Sequence, residues 1–204
     1  MPDFSLEREV AGIVAGVDEA GRGPWAGPVV AGAAVLNRDT LEKVLVEGLD
    51  DSKALTPAKR EALYAALTHS PAATVGVGIA SVAEIDSLNI LQATFLAMAR
   101  AVAALGVSVD VALVDGNGRP KLPCEVRAVV KGDSRSLSIA AGSIMAKVTR
   151  DRMMAELAVD FPGYSWETNQ GYGTPAHKRG LETFGVTPHH RKTYAPIRAL
   201  LENS

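Results

Sequence analysis

Short apolar runs, each bounded by glycine, proline or an acidic residue, recur along the chain and predict buried strands. The first two runs flank a glycine- and proline-rich turn, which favours antiparallel pairing between them. Longer segments have apolar residues at helical spacing, or begin with a capping residue before proline, and these predict helices. Strands are predicted over residues 13–17, 28–36, 73–80, 111–114 and 126–130, and helices over 57–69, 89–105, 136–160, 175–184 and 196–202.

The order of these elements predicts an α/β fold in which a five-stranded mixed sheet is flanked by helices. The helix over residues 89–105 is apolar nearly all round, so we expect it to lie buried between layers. A length of 204 residues is sufficient for one sizeable core. We therefore expect a core over residues 1–160, with a C-terminal loop and helical appendage over residues 161–204 packed on it.

Composition is that of an ordinary globular protein, with 47% apolar and 22% charged residues, and it excludes wholesale disorder, collagen and coiled coil. No uncharged apolar stretch reaches the roughly 18 residues of a transmembrane helix, and the N-terminus has no apolar signal segment. The single cysteine, Cys124, cannot form an intrachain disulfide or a zinc site. We therefore expect a cytoplasmic monomer with no membrane contact and no obligate protein partner.

The net charge of −2 conceals an asymmetry along the chain. Residues 1–118 hold 8 Lys and Arg against 15 Asp and Glu, a net of −7, whereas residues 119–204 hold 13 against 8, a net of +5. A basic segment beside an acidic one permits a local phosphate-binding face. The alternative is a chance asymmetry on a solvated surface.

Four carboxylates stand at the ends of predicted elements. Asp18 and Glu19 follow the first strand. Asp115 ends the fourth strand, and Asp133 precedes the longest helix. Because ligands of α/β sheets gather at strand ends, we expect these side chains to lie close together. Clustered carboxylates cannot all ionise without cations, and their hard oxygens suit Mg²⁺ or Mn²⁺, two of which about 4 Å apart favour in-line attack at a phosphodiester.

Each acid also has a simpler interpretation on its own, as a helix cap or a turn residue. Asp115 and Asp133 each precede a residue type that is common in turns. Asp18 and Glu19 carry a geometric condition, because successive strand side chains point to opposite faces. Both reach one site only if the chain leaves strand geometry at Glu19, and the glycines and proline of residues 20–24 favour such a departure.

Two loop motifs suit contacts with a phosphate backbone. The glycines of Gly21-Arg22-Gly23 allow main-chain N–H groups to approach a ligand, and the arginine can pair with phosphate. Ser52 and Lys53, in the tripeptide at residues 51–53, supply a hydroxyl and an ammonium. The alternative is a tight hairpin with a solvated arginine for the first motif and a solvated turn for the second.

Two further motifs lie in the second half of the chain. Ser143, Lys147 and Asp151 follow one face of the longest predicted helix, where the alternative is a solvated face with a Lys–Asp pair. Tyr172 lies between two glycines, and its exposed ring could stack on a base or a sugar. The alternative is a tyrosine that packs under its own loop.

Taken together and in order, these motifs resemble those of the ribonuclease HII family, the type 2 ribonucleases H. The resemblance covers about residues 12–198. The segments that carry it are VDEAGRGP at 17–24, DSK at 51–53, LNI at 88–90, VDGN at 114–117, KGDS at 131–134, AGSIMAKVTRD at 141–151, GYGT at 171–174 with His177, and HHR at 189–191.

The resemblance implies a ribonuclease H-like fold and endonucleolytic hydrolysis of the RNA strand of RNA–DNA hybrids, leaving 5′-phosphate and 3′-hydroxyl ends. It also implies incision at single ribonucleotides embedded in duplex DNA, with two divalent metal ions held by the four carboxylates. The loop at residues 21–23 matches the family's loop that reads the ribose 2′-hydroxyl, and Tyr172 matches the tyrosine that stacks on the neighbouring deoxyribose. The segments that line the substrate backbone contain Ser52, Lys53, Ser143 and Lys147.

Two other functions remain open. A DNA strand-transferase or junction resolvase on the same fold also uses clustered carboxylates and two metal ions, and a hybrid-binding module would need no chemistry. The Gly-Arg-Gly and Gly-Tyr-Gly-Thr loops favour the ribonuclease. Intact acids at all four positions count against a pure binding module, because negative charge repels phosphate.

Overall fold

A computed structural model of the chain describes residues 1–50, 52 and 55–202. These residues form one sheet from β1 (Val14–Ala20), β2 (Val29–Leu36), β3 (Ala73–Ala80), β4 (Val111–Asp115) and β5 (Glu125–Val129), in the order β3-β2-β1-β4-β5. The first three strands form the predicted antiparallel meander, while β4 runs parallel to β1 and β5 parallel to β4. The predicted α/β class with a mixed five-stranded sheet is confirmed.

Helices surround this sheet, and those predicted from the sequence correspond to α3, α5, α6, α8 and α9 below. The others are four to seven residues long, too short for apolar periodicity to reveal them. No helix in the described part of the chain is long and apolar enough to cross a membrane. The helices are α1 (Ser5–Arg8), α2 (Lys43–Gly48), α3 (Pro57–His69), α4 (Val82–Leu88), α5 (Ile90–Ala103), α6 (Leu137–Asp160), α7 (Trp166–Asn169), α8 (Pro175–Phe184) and α9 (Ala195–Glu202), with a 3₁₀ turn at Gly132–Ser134.

The sheet has one major helix on each face. Small residues of α5, such as Ala97 and Ala101, pack on the odd-numbered face of β1, which presents Ala15 and Val17. The opposite side of α5 is exposed, since Leu91 retains 42% of its accessible surface. The prediction that this helix lies between layers is therefore wrong: α5 forms an outer layer, because its small side chains suit a close contact with one face only.

The other face of the sheet lies against α6 at unusually short range. A Cβ atom added at Gly16 would lie 2.0 Å from the main-chain carbon of Ser138, and one added at Gly32 would lie 2.1 Å from the Gly142 carbonyl oxygen. Only glycine permits this approach of two backbones. The contact brings the first turns of α6 against the strand that ends in Asp18.

The C-terminal segments pack around a small apolar cluster of their own. Met154 of α6 contributes to it, together with Tyr164, Trp166, Leu181 and Ile197. Ala26, from the turn between β1 and β2, belongs to the same cluster. The division into a core over 1–160 and an appendage over 161–204 stays a prediction.

The close contact of α6 with the sheet generates a stability test. Gly16→Ala should lower the free energy of unfolding by about 3 kcal/mol, the upper end of overpacking costs, because the added methyl meets main chain that cannot rotate away. Gly48→Ala is the matched control, since its methyl would meet only the flexible end of Leu63, at 2.9 Å. Urea unfolding measures both variants, and equal losses would contradict the argument.

Candidate active site

The carboxyl ends of β1 and β4 bring two of the predicted acids side by side. Val17 is aligned with Val114 in the parallel pair, so the next residues along the two strands are Asp18 and Asp115. Asp18 is buried, and it lies on the same face of β1 as Gly16, toward α6. Carboxylates at the ends of neighbouring strands are the arrangement that the sequence predicts.

Asp115 also holds the turn that carries the fourth acid. Its Oδ1 accepts a hydrogen bond from the Gly132 N–H at 2.6 Å. Asp133 follows in the 3₁₀ turn and is 8% exposed. The end of β4 and the turn before α6 are thereby joined through one carboxylate.

Glu19 differs from its prediction. The strand continues through Ala20, and Glu19 pairs with Ala31 of β2, so the chain does not leave strand geometry at Glu19. Strand alternation alone would direct its side chain away from the face that Asp18 occupies, yet Glu19 lines a cavity together with Ser143 and Lys147 of α6, the helix on that face. The carboxylate is 15% exposed and forms an ion pair with Arg22 at 3.3 Å. Pairing with β2 overrides the local glycine and proline signal.

The acids are electrostatically coupled despite this alternation. Burial raises the pKa of Asp18 well above its usual value, and the nearby Glu19 and Asp115 raise it further. Hydrogen bonds from Ser143 and from the Glu19 N–H, the latter at 2.7 Å, act in the opposite direction on this pKa. An ionised Asp18 is therefore costly unless a cation lies beside it.

The chemistry of these donors fits a hard divalent cation. All four are carboxylates, which Mg²⁺ and Mn²⁺ prefer, and the raised pKa of Asp18 marks a deficit of positive charge. Among the described residues, however, no group of three or more His, Cys, Asp or Glu side chains is close enough to hold a metal ion. Asp18, Glu19, Asp115 and Asp133 thus supply the donor type but not a closed ligand shell.

A cavity of about 270 Å³ opens beside Glu19. It collects every predicted substrate-contact residue except Lys53, which lies outside the described residues. Arg150 also lines it, a residue for which the sequence predicts no separate role. The lining residues are Glu19, Ala20, Gly21, Arg22, Gly23, Ser52, Ser143, Lys147, Arg150 and Tyr172.

One wall of the cavity is polar and formed by α6 and the loop before α3. The hydroxyls of Ser52 and Ser143 are 2.8 Å apart, and both residues are buried. Lys147 forms the expected pair with Asp151, with Nζ 2.7 Å from Oδ1, and its side chain stays 26% exposed. The ammonium is therefore available at the cavity surface.

The opposite wall combines the glycine loop and Tyr172. A Cβ atom added at Gly23 would lie 3.3 Å from Cε1 of Tyr172, so the ring lies against the loop. Tyr172 is 51% exposed. An aromatic ring that packs on a glycine and keeps half its surface open differs from a tyrosine buried under its own loop.

Arg150 is buried at the edge of this cavity, and among the described residues its guanidinium donates to main-chain carbonyls. Its guanidinium bonds to Pro28, Gln170 and Ala26 at 2.9, 3.0 and 3.1 Å. Burial, and next the charge of Arg191, lowers the pKa of Arg150 to about 10. The sequence signal for this role is helical spacing: Ala146 and Met154, four residues to either side, are apolar and buried, so Arg150 shares their helix face.

Two buried histidines fix the main chain at Tyr172. The Tyr172 carbonyl can only accept, so His177 donates to it from Nδ1 at 3.0 Å. His177 Nε2 then accepts from Trp166 Nε1 and His190 Nε2, at 3.2 and 2.9 Å. His190 Nδ1 accepts from the N–H and hydroxyl of Thr187. The network is complete only when both imidazoles are neutral.

This network generates a pH prediction. Burial, and next the neighbouring His177, lowers the pKa of His190 from 6.5 to about 4. Between these values the unfolded chain binds the additional proton, so stability should fall as the pH falls. The variant His190→Gln should reduce the slope of the free energy of unfolding against pH, by up to ~1.4 kcal/mol per pH unit for one proton. Urea unfolding from pH 7 to pH 4 measures the slopes, and equal slopes would show that His190 does not titrate this way.

Comparison with known proteins identifies relatives along the whole chain. A family model described as Ribonuclease HII matches residues 15–196. Ribonuclease HII from Rhodospirillum rubrum is 59% identical over 204 residues, which cover 100% of this chain and 94% of that protein. These matches confirm the resemblance inferred from the motifs.

Two solved structures show the same fold. Ribonuclease H2 from Pyrococcus horikoshii OT3 aligns with a TM-score of 0.76 and 30% identity, covering 94% of this chain and 98% of its own. Bst-RNase HIII in complex with Mn²⁺ aligns with a TM-score of 0.72 over 94% of this chain and 70% of its own, and at 18% identity it shows the fold alone. The match over residues 15–196 and the identity across the full length establish that the chain belongs to the ribonuclease HII family of metal-dependent endoribonucleases acting on RNA–DNA hybrids.

Proposed function

We propose that this member of the family also incises at single ribonucleotides embedded in duplex DNA, leaving 5′-phosphate and 3′-hydroxyl ends. One observation supports the proposal above all: the coupled carboxylates adjoin a cavity whose rim consists of the Gly21–Arg22–Gly23 loop and the half-exposed Tyr172. Chemistry and sugar recognition are thereby assigned to neighbouring parts of one surface.

The proposal assigns Asp18, Glu19, Asp115 and Asp133 to two divalent ions, Mg²⁺ or Mn²⁺. Divalent ions at this position supply an acidified water and neutralise charge on the phosphate and the leaving oxygen. Asp18 is suited to this role because its burial and its acidic neighbours make a nearby cation favourable. The bond from Gly132 to Asp115 would keep Asp133 at the same edge of the sheet.

The remaining cavity residues bind and orient the duplex in this proposal. Lys147 and Arg22 offer cationic groups at the cavity surface to phosphates, and Ser52 and Ser143 offer hydroxyls. Lys53, outside the described residues, is proposed for the same backbone. The glycine loop reads the 2′-hydroxyl, which is the group that distinguishes RNA from DNA.

The experiment that tests this function compares cleavage of three duplexes: all-DNA, DNA with one ribonucleotide, and a long RNA–DNA hybrid, each with Mg²⁺, Mn²⁺ or EDTA. Wild type should cleave the last two with metal only. Cleavage of all-DNA would instead favour the strand-transferase or resolvase class. Binding without metal-dependent cleavage would favour a binding module.

We predict that Asp18→Asn and Asp115→Asn abolish cleavage in this assay, because each removes a carboxylate donor. Asp39→Asn, an exposed acid outside the cavity, is the matched control and should retain activity. Near-wild-type rates for both site variants would overturn the metal assignment.

Asp18→Asn should also raise the melting temperature in EDTA at pH 8. The raised pKa of Asp18 means that its ionisation costs folding energy, a cost that is absent at low pH and grows as the pH rises through that pKa. The gain should therefore vanish near pH 4, where the carboxyl is protonated in the folded protein. A gain that is independent of pH would point to packing instead.

Tyr172 should matter most where the sugar after the ribose is a deoxyribose. Aromatic stacking contributes roughly 1–3 kcal/mol, so Tyr172→Ala should lower cleavage at a single ribonucleotide about 10- to 100-fold, and Tyr172→Phe less. The measurement is the ratio of single-ribonucleotide to long-hybrid cleavage. Phe184→Ala, another exposed aromatic of the C-terminal region, is the control. An unchanged ratio with a lower melting temperature would make Tyr172 structural.

A further inference from the structure

Arg191 lies fully buried beneath the glycine loop and donates to its main chain. Its Nη2 bonds to the Gly21 carbonyl at 2.5 Å and its Nη1 to the Arg22 carbonyl at 2.9 Å. The same guanidinium reaches the carbonyls of Gly27 and Pro28, at 3.0 and 3.2 Å. Within the described part of the chain, Arg191 forms no ion pair with a carboxylate. Carbonyl oxygens therefore satisfy this buried cation.

Tyr194 strengthens the same contact. Its hydroxyl donates to the Arg22 carbonyl at 2.6 Å and accepts from Arg191 Nη1 at 2.9 Å. The carboxylate of Asp86 accepts from the N–H groups of Lys192 and Thr193, both at 3.0 Å. These bonds fix the segment that joins Arg191 to Tyr194. The Arg22 carbonyl thus receives two donors from one anchored segment.

The direction of these carbonyls determines the direction of the loop's N–H groups. The structure contains no cis peptide bond among its described residues, and in a trans peptide the C=O and the N–H point in opposite directions. The Gly21 carbonyl shares its peptide with the Arg22 N–H, and the Arg22 carbonyl shares its peptide with the Gly23 N–H. Holding both carbonyls inward on Arg191 therefore turns both N–H groups outward, toward the cavity.

The two N–H groups have no acceptor in the described part of the chain. Within residues 1–50, 52 and 55–202, neither the Arg22 nor the Gly23 N–H donates to a protein acceptor. Gly21 permits the required backbone, since its φ is +97° and a Cβ there would lie 2.0 Å from Arg150 Nε. The loop therefore presents two adjacent, oriented donors at the rim of the cavity.

We propose that Arg191 and Tyr194 are positioning residues for ribose recognition, because they fix the two peptide planes whose N–H groups meet the 2′-hydroxyl. The inference rests on the proposed function, in which this loop reads that hydroxyl. It adds residues that touch no substrate and act through the main chain. Arginine suits the position because its five donors can hold several carbonyls at once.

The test measures binding, so that discrimination is separated from chemistry. Asp18→Asn serves as the cleavage-deficient background, with Mg²⁺ present. Dissociation constants are measured for two duplexes of one sequence, one all-DNA and one with a single ribonucleotide. The dissociation constant for all-DNA divided by that for the duplex with one ribonucleotide reports recognition of the 2′-hydroxyl. A residue that only stabilises the fold would not change this ratio selectively.

Tyr194→Phe in this background should lower the ratio about three- to tenfold, the effect of one hydrogen bond, while affinity for all-DNA stays the same. Arg191→Lys should lower it further. Tyr64→Phe, a tyrosine on α3 beside Arg152, is the matched control and should leave the ratio unchanged. Melting temperatures check folding, and Tyr194→Phe carries the test if Arg191→Lys does not fold.

The outcomes distinguish failure of the positioning role from failure of the proposed recognition of the 2′-hydroxyl by the glycine loop. A background protein that binds both duplexes equally would refute recognition by the loop, and the inference with it. A background that discriminates, together with a Tyr194→Phe variant that discriminates equally well, would refute the positioning role alone. Equal weakening on both duplexes would also refute it, since that pattern indicates a general contribution to the binding surface.

Discussion

The backbone of α6 lies directly against β1 and β2, and the position of the candidate site depends on this close approach. A side chain at Gly16 or Gly32 would separate the two layers. With the layers in contact, Asp18 follows Gly16 on the same face of β1 and meets α6 where Ser143 can bond to its carboxylate. The polar face of the helix then continues from this point along one side of the cavity, through Lys147 and Arg150.

Opposite charges meet at this surface, and each is satisfied in a different way. Asp18 has a raised pKa and needs a cation, whereas Arg150 and Arg191 are buried cations that bond to carbonyls. Carbonyl oxygens satisfy the donors but leave the positive charge in place, which favours phosphate nearby. The acidic first part of the chain and the basic second part thus meet locally, although their totals nearly cancel.

Local signals explain what the sequence could predict. Thr56 and Thr174 each cap a helix that begins with proline, and the predicted bounds of α3 and α8 match the structure. The glycine loop and Tyr172 were also visible, since each motif lies within a few residues. Pairing between distant segments was not visible: Glu19 stays in its strand because β2 pairs with it, and Arg191 bonds to carbonyls 169 and 170 residues earlier.

A glycine-rich loop alone does not fix the direction of its peptides, because glycine adopts both positive and negative φ. Preorganised donors therefore need a rigid partner from another segment. Two neighbouring residues of the C-terminal region provide such partners. His190 bonds to His177, which bonds to the Tyr172 carbonyl, and Arg191 bonds to the carbonyls of the glycine loop. The two parts of the wall that would contact the sugar, the glycine loop and Tyr172, are thus set by one segment that carries none of the four acids. Under the proposed function, sugar recognition depends on how this segment docks on the core, while the chemistry depends on the sheet.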